Sequence, residues 1–533
     1  MNILSRMKQK LFGPLGAGAG AFILAVASTM SYLLGWLRDA IFARTFGITA
    51  FTDSYFKAFI LPDSLLTIFI TGALLGILIP LYVRAQKISE EEGAKTFGDF
   101  FFVLNSFYAI AAFLCLLFLG PILSLFFPET SVEQMPVLLQ ITKMLIFSNF
   151  FFALSNFLGH FLLAHKRFFA YSIAPLLYNL GIILGILVGS SEYGIYSAAY
   201  GGLFGAMLHF LLRLYDFLKS PGRFVISFDI HNPLLRELLR SMWPKVISLL
   251  SLQIGFYFFA RMGDGILGEG NYSSFQYARN LQSFAVSLFG ISFATAVFPF
   301  LADFVAEKKM DHFLFRLEKS LGQILFLALP SAVGVILIAP EIVRLVYGVQ
   351  ENNILTVMAL IPLALAIPLE SMNHLLVRAF HVLKNTFIPM IASLLFLTAL
   401  ISFSLLLVFE FNFGVEAFGI AYFLSFVVQV IFLFLLLPRL AGSFPWSDFF
   451  PKIRKTCFIS AIMGISVFFT IEFLRNTHYL PRFAVAVCVG IVTYFAAALL
   501  LKSPEVYEVP FWKWYPLSRK KSQTSIQKID DSV

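Results

Sequence analysis

Residues 28–80 read STMSYLLGWLRDAIFARTFGITAFTDSYFKAFILPDSLLTIFITGALLGILIP, and this stretch decides the class of fold. Two long apolar runs flank a short polar turn, and a helix needs about 20 mostly apolar residues to span a bilayer. Arg38, Asp39, Asp53 and Lys57 nevertheless lie within or beside these runs. Because a charge inside a spanning helix is costly unless it is paired or faces water, the stretch predicts two spanning helices that carry candidate functional residues.

The rest of the chain has the same apolar character. Of its 533 residues, 59% are hydrophobic and only 13% are charged, whereas a soluble domain is about one-quarter charged. A soluble fold could not hide this much apolar surface, but lipid can, because there the outside of each helix is also apolar. The net charge of +9 comes largely from basic residues in short loops. It therefore indicates membrane topology and not nucleic-acid binding.

Fourteen apolar segments follow one another along the chain. With soft edges they cover residues 16–43, 53–83, 97–127, 136–164, 168–190, 194–218, 240–263, 270–303, 314–339, 354–380, 386–409, 414–437, 455–474 and 481–501. Loops rich in lysine and arginine alternate with loops that are nearly bare of them, and PETSVEQ, GSSEYG and EFNFG have none. The exceptions, at the outer helix ends, are Arg261, Arg344, Arg475 and Arg482. Since cytoplasmic loops are the ones rich in lysine and arginine, we expect both termini to be cytoplasmic.

Two halves of the chain show weak internal similarity. The stretch GALLGILIPLYVRAQ, with Pro80, resembles ATAVFPFLADFVAEKK, with Pro299, and a second pair is Pro121 and Pro340. Both pairs are 219 positions apart. Each half has six segments, so both enter the membrane from the same side, which predicts parallel repeats around a central site. The expected domains are an N-lobe (1–218), a cytoplasmic linker (219–239), a C-lobe (240–437), two last helices (438–502) and a cytoplasmic tail (503–533).

The charged residues inside the segments are the candidate binding site. Arg279 and Asn280, in SSFQYARNLQSF, lie in the segment of the second half that matches the segment containing Asp53 and Lys57. Arginine and lysine from both halves could face one cavity and bind an anionic group such as a phosphate. We hypothesise that Arg38, Lys57 and Arg279 converge in this way.

We expect the other intramembrane polar residues to form hydrogen bonds between helices and not to bind a ligand. These residues are Lys143, Asn149, Asn156, Asn179, Glu370 and Asn373. No catalytic or cofactor motif emerges: the chain has no Walker A loop, and its three cysteines and eight histidines form no metal-binding pattern. We therefore expect no cofactor, no metal and no enzymatic step.

Residues 28–80 resemble the start of the MurJ/MviN family, the lipid II flippases of the multidrug/oligosaccharidyl-lipid/polysaccharide (MOP) exporter superfamily. The family pattern there is close to S-R-x-x-G-x-x-R-D, then F-G, T-D-x-F, L-P-N, E-G-A and a final proline. Further matches are LLAHKRFFAYSIAPLLYNLGIILG, SSFQYARNLQSFAVSLFGISFATAVFP and VRAFHVLKNTFIP. Together the matches cover about four-fifths of the chain, with the family's fourteen helices.

The resemblance implies a cavity between two six-helix lobes that opens alternately to each side. Basic residues there would hold the pyrophosphate of an undecaprenyl-linked sugar-peptide, and the last two helices would form a groove for the lipid tail. By this resemblance Arg38 matches a cavity arginine, Asp39 is its neighbour, and Asp53 is the acidic residue of the T-D motif.

The chain departs from the family pattern at several charged positions. Tyr32, Thr67 and Asn385 stand where the family has Arg, Arg and Asp, and Thr71 stands where it has Glu. The family's A-D-R is Ala278-Arg279-Asn280 here, which moves the arginine by one position, about 100° around a helix. The sodium coupling suggested for the family has no clear carboxylate site in this sequence.

The sequence is thus interpreted as a flippase for a lipid-linked peptidoglycan precursor in a bacterial inner membrane. Its expected partners are the lipid-linked glycan, membrane lipids and cell-wall synthesis proteins. Two alternatives remain open: a MOP-type transporter of another lipid-linked glycan or of drugs, and a non-transporting scaffold that binds lipid-linked precursors or wall-synthesis proteins.

Overall fold

The computed structural model describes residues 17–74, 76–220, 224–348 and 353–508. The basic N-terminal residues Arg6, Lys8 and Lys10 lie outside this range, as does most of the predicted tail, from residue 509 onwards.

Long helices make up nearly all of the described chain. Twelve are long and apolar enough to cross a membrane, and the helices Ala17–Phe46 and Tyr196–Leu218 bring the number of long helices in this part to fourteen. We label them α1 (Ala17–Phe46), α2 (Ala50–Leu74), α3 (Glu90–Leu117), α4 (Met135–Ala164), α5 (Phe168–Tyr193), α6 (Tyr196–Leu218), α7 (Pro233–Leu267), α8 (Asn271–Ala306), α9 (Met310–Leu337), α10 (Asn353–Val382), α11 (Phe387–Glu410), α12 (Glu416–Ala441), α13 (Trp446–Phe473) and α14 (Tyr479–Leu500). The predicted all-helical membrane fold is confirmed.

Local sequence signals set where the helices begin. The Thr49 hydroxyl accepts the backbone N–H of Thr52, and the Thr52 hydroxyl accepts that of Thr49, so the pair forms a capping box before α2. Ser89 caps α3 through the N–H of Glu92, and Asn232 caps α7 through the N–H of Leu234. These side chains satisfy donors that the first turn of a helix leaves open.

Helix boundaries recur at nearly the spacing of the proline pairs. The starts of α3 and α9, Glu90 and Met310, are 220 positions apart, as are the starts of the short helices Leu119–Phe126 and Ala339–Tyr347. A π-helical turn interrupts α2 at Thr67–Thr71 and α8 at Ser287–Ile291, again 220 positions apart. Turns of this kind are rare and often accompany functional sites.

The chain forms two compact units whose limits differ from the predicted domains. Unit 1 comprises residues 1–277, 346–356 and 393–415, and unit 2 comprises residues 278–345, 357–392 and 416–533. The limits differ because parts of the second half pack with the first half. These parts are α7, the first turns of α8, and residues 346–356 and 393–415.

In unit 1, small residues let helices approach closely. A Cβ atom added to Gly181 of α5 would lie 2.5 Å from the carbonyl oxygen of Gly201 in α6. Such glycine contacts are a common way for helices to associate in lipid. At one end of the same helix pair, Arg167 and Asp216 form a buried ion pair.

Residues 224–232, which precede α7, are held against α3. The Asp99 carboxylate accepts the backbone N–H of Asp229 at 2.8 Å and the side-chain amide of Asn232 at 2.7 Å. The carbonyl of Val225 lies against Gly98, where there is no room for a side chain. This segment therefore belongs structurally to the first half of the chain.

In unit 2, α13 and α14 pack against α9. Phe326 of α9, Ile459 and Met463 of α13 and Ala498 of α14 belong to one buried apolar cluster. The Lys452 ammonium of α13 donates to both Glu318 oxygens of α9, at 2.7 and 2.9 Å. The last two helices are thus fixed to α9 by an apolar core and one ion pair, and their role as a lipid-tail groove stays a prediction.

Candidate functional site

Arg38 and Asp39 form a polar cluster on α1 together with Asn179 of α5. The Arg38 guanidinium donates from Nε and Nη2 to Asp39 Oδ1, at 2.9 and 2.7 Å, and from Nη1 to Asn179 Oδ1 at 3.0 Å. Asn179 in turn donates to the carbonyl of Ser31 at 3.3 Å. The Arg38 side chain is 27% exposed and that of Asp39 is 14% exposed. Asn179 is therefore a helix–helix hydrogen-bonding residue, as the sequence suggested, and it also orients the guanidinium.

A second polar network of unit 1 joins α2 to α4 and α7. Its members are neutral except Asp63. Gln253 of α7 donates to the Thr67 hydroxyl at 3.0 Å and accepts from the Ser64 hydroxyl at 2.8 Å. Asn149 of α4 donates to the Asp63 carboxylate at 2.9 Å. The Thr67 hydroxyl thus accepts from an amide, Gln253.

Asp53 caps the start of α8. Its Oδ2 accepts the backbone N–H of Gly270 at 2.6 Å and its Oδ1 that of Ser273 at 2.7 Å. The side chain is completely buried. A carboxylate at a helix N-terminus is favoured both by these open N–H groups and by the helix dipole. In this conformation Asp53 therefore presents no open oxygen to a substrate, and its proposed binding role does not follow from the geometry.

Lys57 lies one turn after Asp53 and is also enclosed. Its side chain is 1% exposed, and its ammonium lies 6.0 Å from the centre of the Phe127 ring. A desolvated cation beside an aromatic ring gains some stabilisation from the ring electrons.

Several further contacts join one end of α1–α4 to segments of the second half within unit 1. They are Arg44 to the Val346 carbonyl (3.2 Å), Tyr277 to the Gly47 carbonyl (3.2 Å), Tyr257 to the Phe126 carbonyl (3.0 Å), Gln134 to Glu269 (3.0 Å) and Arg261 to Glu129 (2.6 Å). Although its partial burial opposes the effect, hydrogen bonding from Arg261 lowers the pKa of Glu129. Together with the Asp53 cap, these contacts form what we call the end seal.

In unit 2, Arg279 of α8 forms an ion pair with Glu370 of α10. The Nη2–Oε1 distance is 3.0 Å, and the side chains are 12% and 7% exposed. Gln282 donates to the other Glu370 oxygen at 2.9 Å, and the Arg279 carbon Cζ lies 5.1 Å from the centre of the Tyr422 ring. Asn280, the next residue of α8, is half-buried.

The six predicted site residues therefore fall into three groups. Arg38 with Asp39, and Asp53 with Lys57, lie in unit 1, whereas Arg279 and Asn280 lie in unit 2. The convergence of Arg38, Lys57 and Arg279 on one cavity stays a prediction.

Sequence reasoning missed two members of these networks, Gln253 and His374. Gln253 is a lone amide in an apolar stretch, and His374 follows Glu370 by one helix turn, which is the spacing that could have indicated it. Glu370 was expected to make helix–helix hydrogen bonds, and it does so with α8.

A family model described as lipid II flippase MurJ matches residues 42–489. The probable lipid II flippase MurJ of Aquifex aeolicus is 28% identical over 479 residues, which cover 87% of this chain and 91% of that protein. The lipid II flippase MurJ of Thermosipho africanus is 26% identical over 490 residues, which cover 89% and 94%.

Solved structures show the same fold. The structure titled "Lipid II flippase MurJ, inward closed conformation" matches with a TM-score of 0.74 and 24% identity, over 90% of this chain and 98% of that one. An inward-facing multidrug resistance MATE family transporter of the MOP superfamily matches with a TM-score of 0.66 and 16% identity, over 77% and 96%.

Proposed function

Since the chain belongs to the MurJ family of lipid II flippases, we propose that it carries a polyprenyl-pyrophosphate-linked peptidoglycan precursor across the bacterial inner membrane by alternating access. Such transport breaks no covalent bond. It requires a site that binds the charged headgroup within the membrane and a path that opens to one side at a time.

The observation that carries the proposal is the setting of Arg38. A guanidinium has five N–H donors, and the bonds to Asp39 and Asn179 use three of them in the described structure. With its side chain 27% exposed, two donors remain for an incoming phosphate. Because Asp39 and Asn179 fix the plane of the guanidinium, a bidentate phosphate contact needs little further ordering.

The end seal supports the alternating-access part of the proposal. In this conformation α1–α4 are tied at one end to segments of the second half by Asp53 and the contacts around it. By the loop charges this is the outer end, with both termini cytoplasmic. A flippase must break these contacts to release its substrate outside, and none of them is covalent.

The proposal is tested by reconstituting the protein in liposomes with lipid II and measuring its translocation. We expect Arg38→Ala to abolish translocation and Arg38→Lys to retain little, because lysine lacks the planar fork. Arg475→Ala is the matched control, since Arg475 is a well-exposed arginine that pairs with nearby Glu472. Wild-type protein that does not translocate lipid II would contradict the proposal.

Two other outcomes would replace it. Translocation of a different lipid-linked glycan is favoured by one observation, the neutral Thr67–Gln253 contact where the family has an arginine. Binding of lipid II without translocation, together with restored cell-wall growth in depleted cells, would identify a scaffold.

A further inference from the structure

The Arg279–Glu370 ion pair of unit 2 joins two helices, so its members can move apart. Its two members lie on different helices, α8 and α10, and both are nearly buried. Arg38 and Asp39, by contrast, are neighbours in the chain and cannot move far apart. An anion that reaches Arg279 can therefore displace Glu370 as the partner of the guanidinium.

The surroundings of Glu370 determine what such a displacement costs. Besides Arg279, the polar or titratable groups near it are Gln282 of α8, Tyr422 of α12, and His374 on its own helix. Among these described groups, the Arg279 guanidinium carries the permanent positive charge. A buried carboxylate that loses such a partner is strongly disfavoured, because its charge is then uncompensated. Taking up a proton removes that charge and most of the penalty.

A path for the proton follows the same helix. Glu370, His374 and Arg378 are spaced four residues apart, so each lies about 6 Å further along one face of α10. The half-buried His374 interacts electrostatically with Glu370, Arg378 and Arg279. Arg378 donates to the Thr295 hydroxyl at 2.6 Å and lies near the end of α10, next to the loop that contains Lys384. An imidazole one turn from a carboxylate is suited to pass a proton to it.

We infer that Glu370 takes up one proton when the pyrophosphate of the lipid-linked substrate replaces it on Arg279, so that substrate binding in this half of the protein is coupled to proton uptake. The inference rests on the proposed function. The proton adds to a Glu370 carboxylate oxygen, Arg279 remains a guanidinium, and no bond of the substrate breaks. His374 gives one ring proton to Glu370 and takes another from solvent water at the Arg378 end of α10, so the imidazole is unchanged at the end of the step.

Two other buried glutamates of unit 2 lack this arrangement. Glu318 is held by Lys452 of α13, and Glu341 by Arg482 of α14. The residues four positions after them are Gly322 and Leu345, whose side chains cannot relay a proton. These pairs attach the last two helices to the rest of unit 2 and provide matched controls.

Proton uptake is measured by titrating the purified full-length protein with lipid II of shortened polyprenyl chain in a calorimeter. Runs at one pH in buffers of different ionisation enthalpy give the number of protons bound per ligand. We expect close to one for the wild type, and an affinity that falls about tenfold per pH unit where uptake is complete. Glu370→Gln imitates the protonated acid, so uptake should fall close to zero and the affinity should become nearly independent of pH. Glu318→Gln should behave as the wild type.

Wild-type protein that binds lipid II without proton uptake would overturn this inference and leave the proposed function standing. So would a Glu370→Gln variant that binds with unchanged uptake. Absence of lipid II binding by the wild type would overturn the proposed function as well. The wild-type measurement needs no variant, so a variant that fails to fold does not remove the test.

Discussion

The Asp53 cap predicts how strongly the end seal is held. Asp53→Asn keeps the size of the side chain and one oxygen acceptor, but it removes the charge and turns an N–H group toward a backbone donor. A hydrogen bond to a charged group contributes about 1.5–3 kcal/mol, and a carboxylate at a helix N-terminus adds about 0.3–1 kcal/mol through the dipole. We therefore expect the substitution to weaken the sealed conformation by about 2–4 kcal/mol.

That loss corresponds to a shift of about one to three orders of magnitude in the equilibrium between the sealed and open ends. The neighbouring contacts contribute less, because an exposed pair such as Arg261–Glu129 is worth about 0–1 kcal/mol. Asp53 is thus expected to dominate the seal, and its substitution should affect conformation before it affects stability of the fold.

The assay is labelling of one introduced cysteine by a membrane-impermeant maleimide. Ser274→Cys is a suitable reporter, because Ser274 is completely buried next to the cap, with Cys115, Cys457 and Cys488 changed to serine. Asp53→Asn should raise the labelling rate at least tenfold. Asp99→Asn is the control, since Asp99 is also buried and also accepts a backbone N–H but holds the α6–α7 segment. Equal labelling in the two variants would refute the role of Asp53 as a latch, and a loss of lipid II affinity without faster labelling would identify it as a substrate ligand.

Three further predictions concern the binding site, the helix packing and the topology. Arg38→Ala should weaken lipid II binding by at least tenfold in equilibrium titrations while leaving the melting temperature within a few degrees, because the guanidinium is partly exposed and Asp39 can then hydrate. Gly181→Ala should destabilise the protein by about 1–3 kcal/mol in thermal unfolding, since its Cβ meets a backbone carbonyl, whereas Gly334→Ala, which has open space around it, should not. Cysteines at Tyr193 and Asn412 should react with an impermeant reagent from outside intact cells, and protection of both from outside would reverse the predicted orientation.

Much of the fold could be predicted from the sequence because the lipid environment leaves few alternatives. Each spanning segment has to satisfy its backbone internally, so an apolar run of sufficient length can only be a helix. The fourteen predicted segments correspond to fourteen long helices in the described chain. The interruptions were not predictable in the same way. The π-helical turns at Thr67–Thr71 and Ser287–Ile291 depend on how neighbouring helices pack. We find no residue pattern in either segment that predicts them.

The site was less predictable than the fold. A charged residue in an apolar segment shows that some partner must stabilise it, but the sequence does not identify that partner. Asp53 and Lys57 are four residues apart on one helix face, a spacing at which opposite charges can pair. The fold instead brings the start of α8 to Asp53, and two backbone N–H groups satisfy the carboxylate. Those donors belong to every residue type, so no sequence signal marks them.

Arg279 is a second charged residue whose partner the sequence did not identify. The sequence predicted that it binds an anionic group, and the structure gives it a specific acid, Glu370, on another helix. An arginine that served only to bind substrate would need no such partner, and one that served only to hold α8 to α10 would gain nothing from an imidazole one turn away. An ion pair that forms without substrate and separates when substrate binds requires the arginine, the acid and the imidazole together. Glu370→Gln distinguishes this arrangement from a simple structural bridge, because the substitution removes proton uptake and preserves the shape of the side chain.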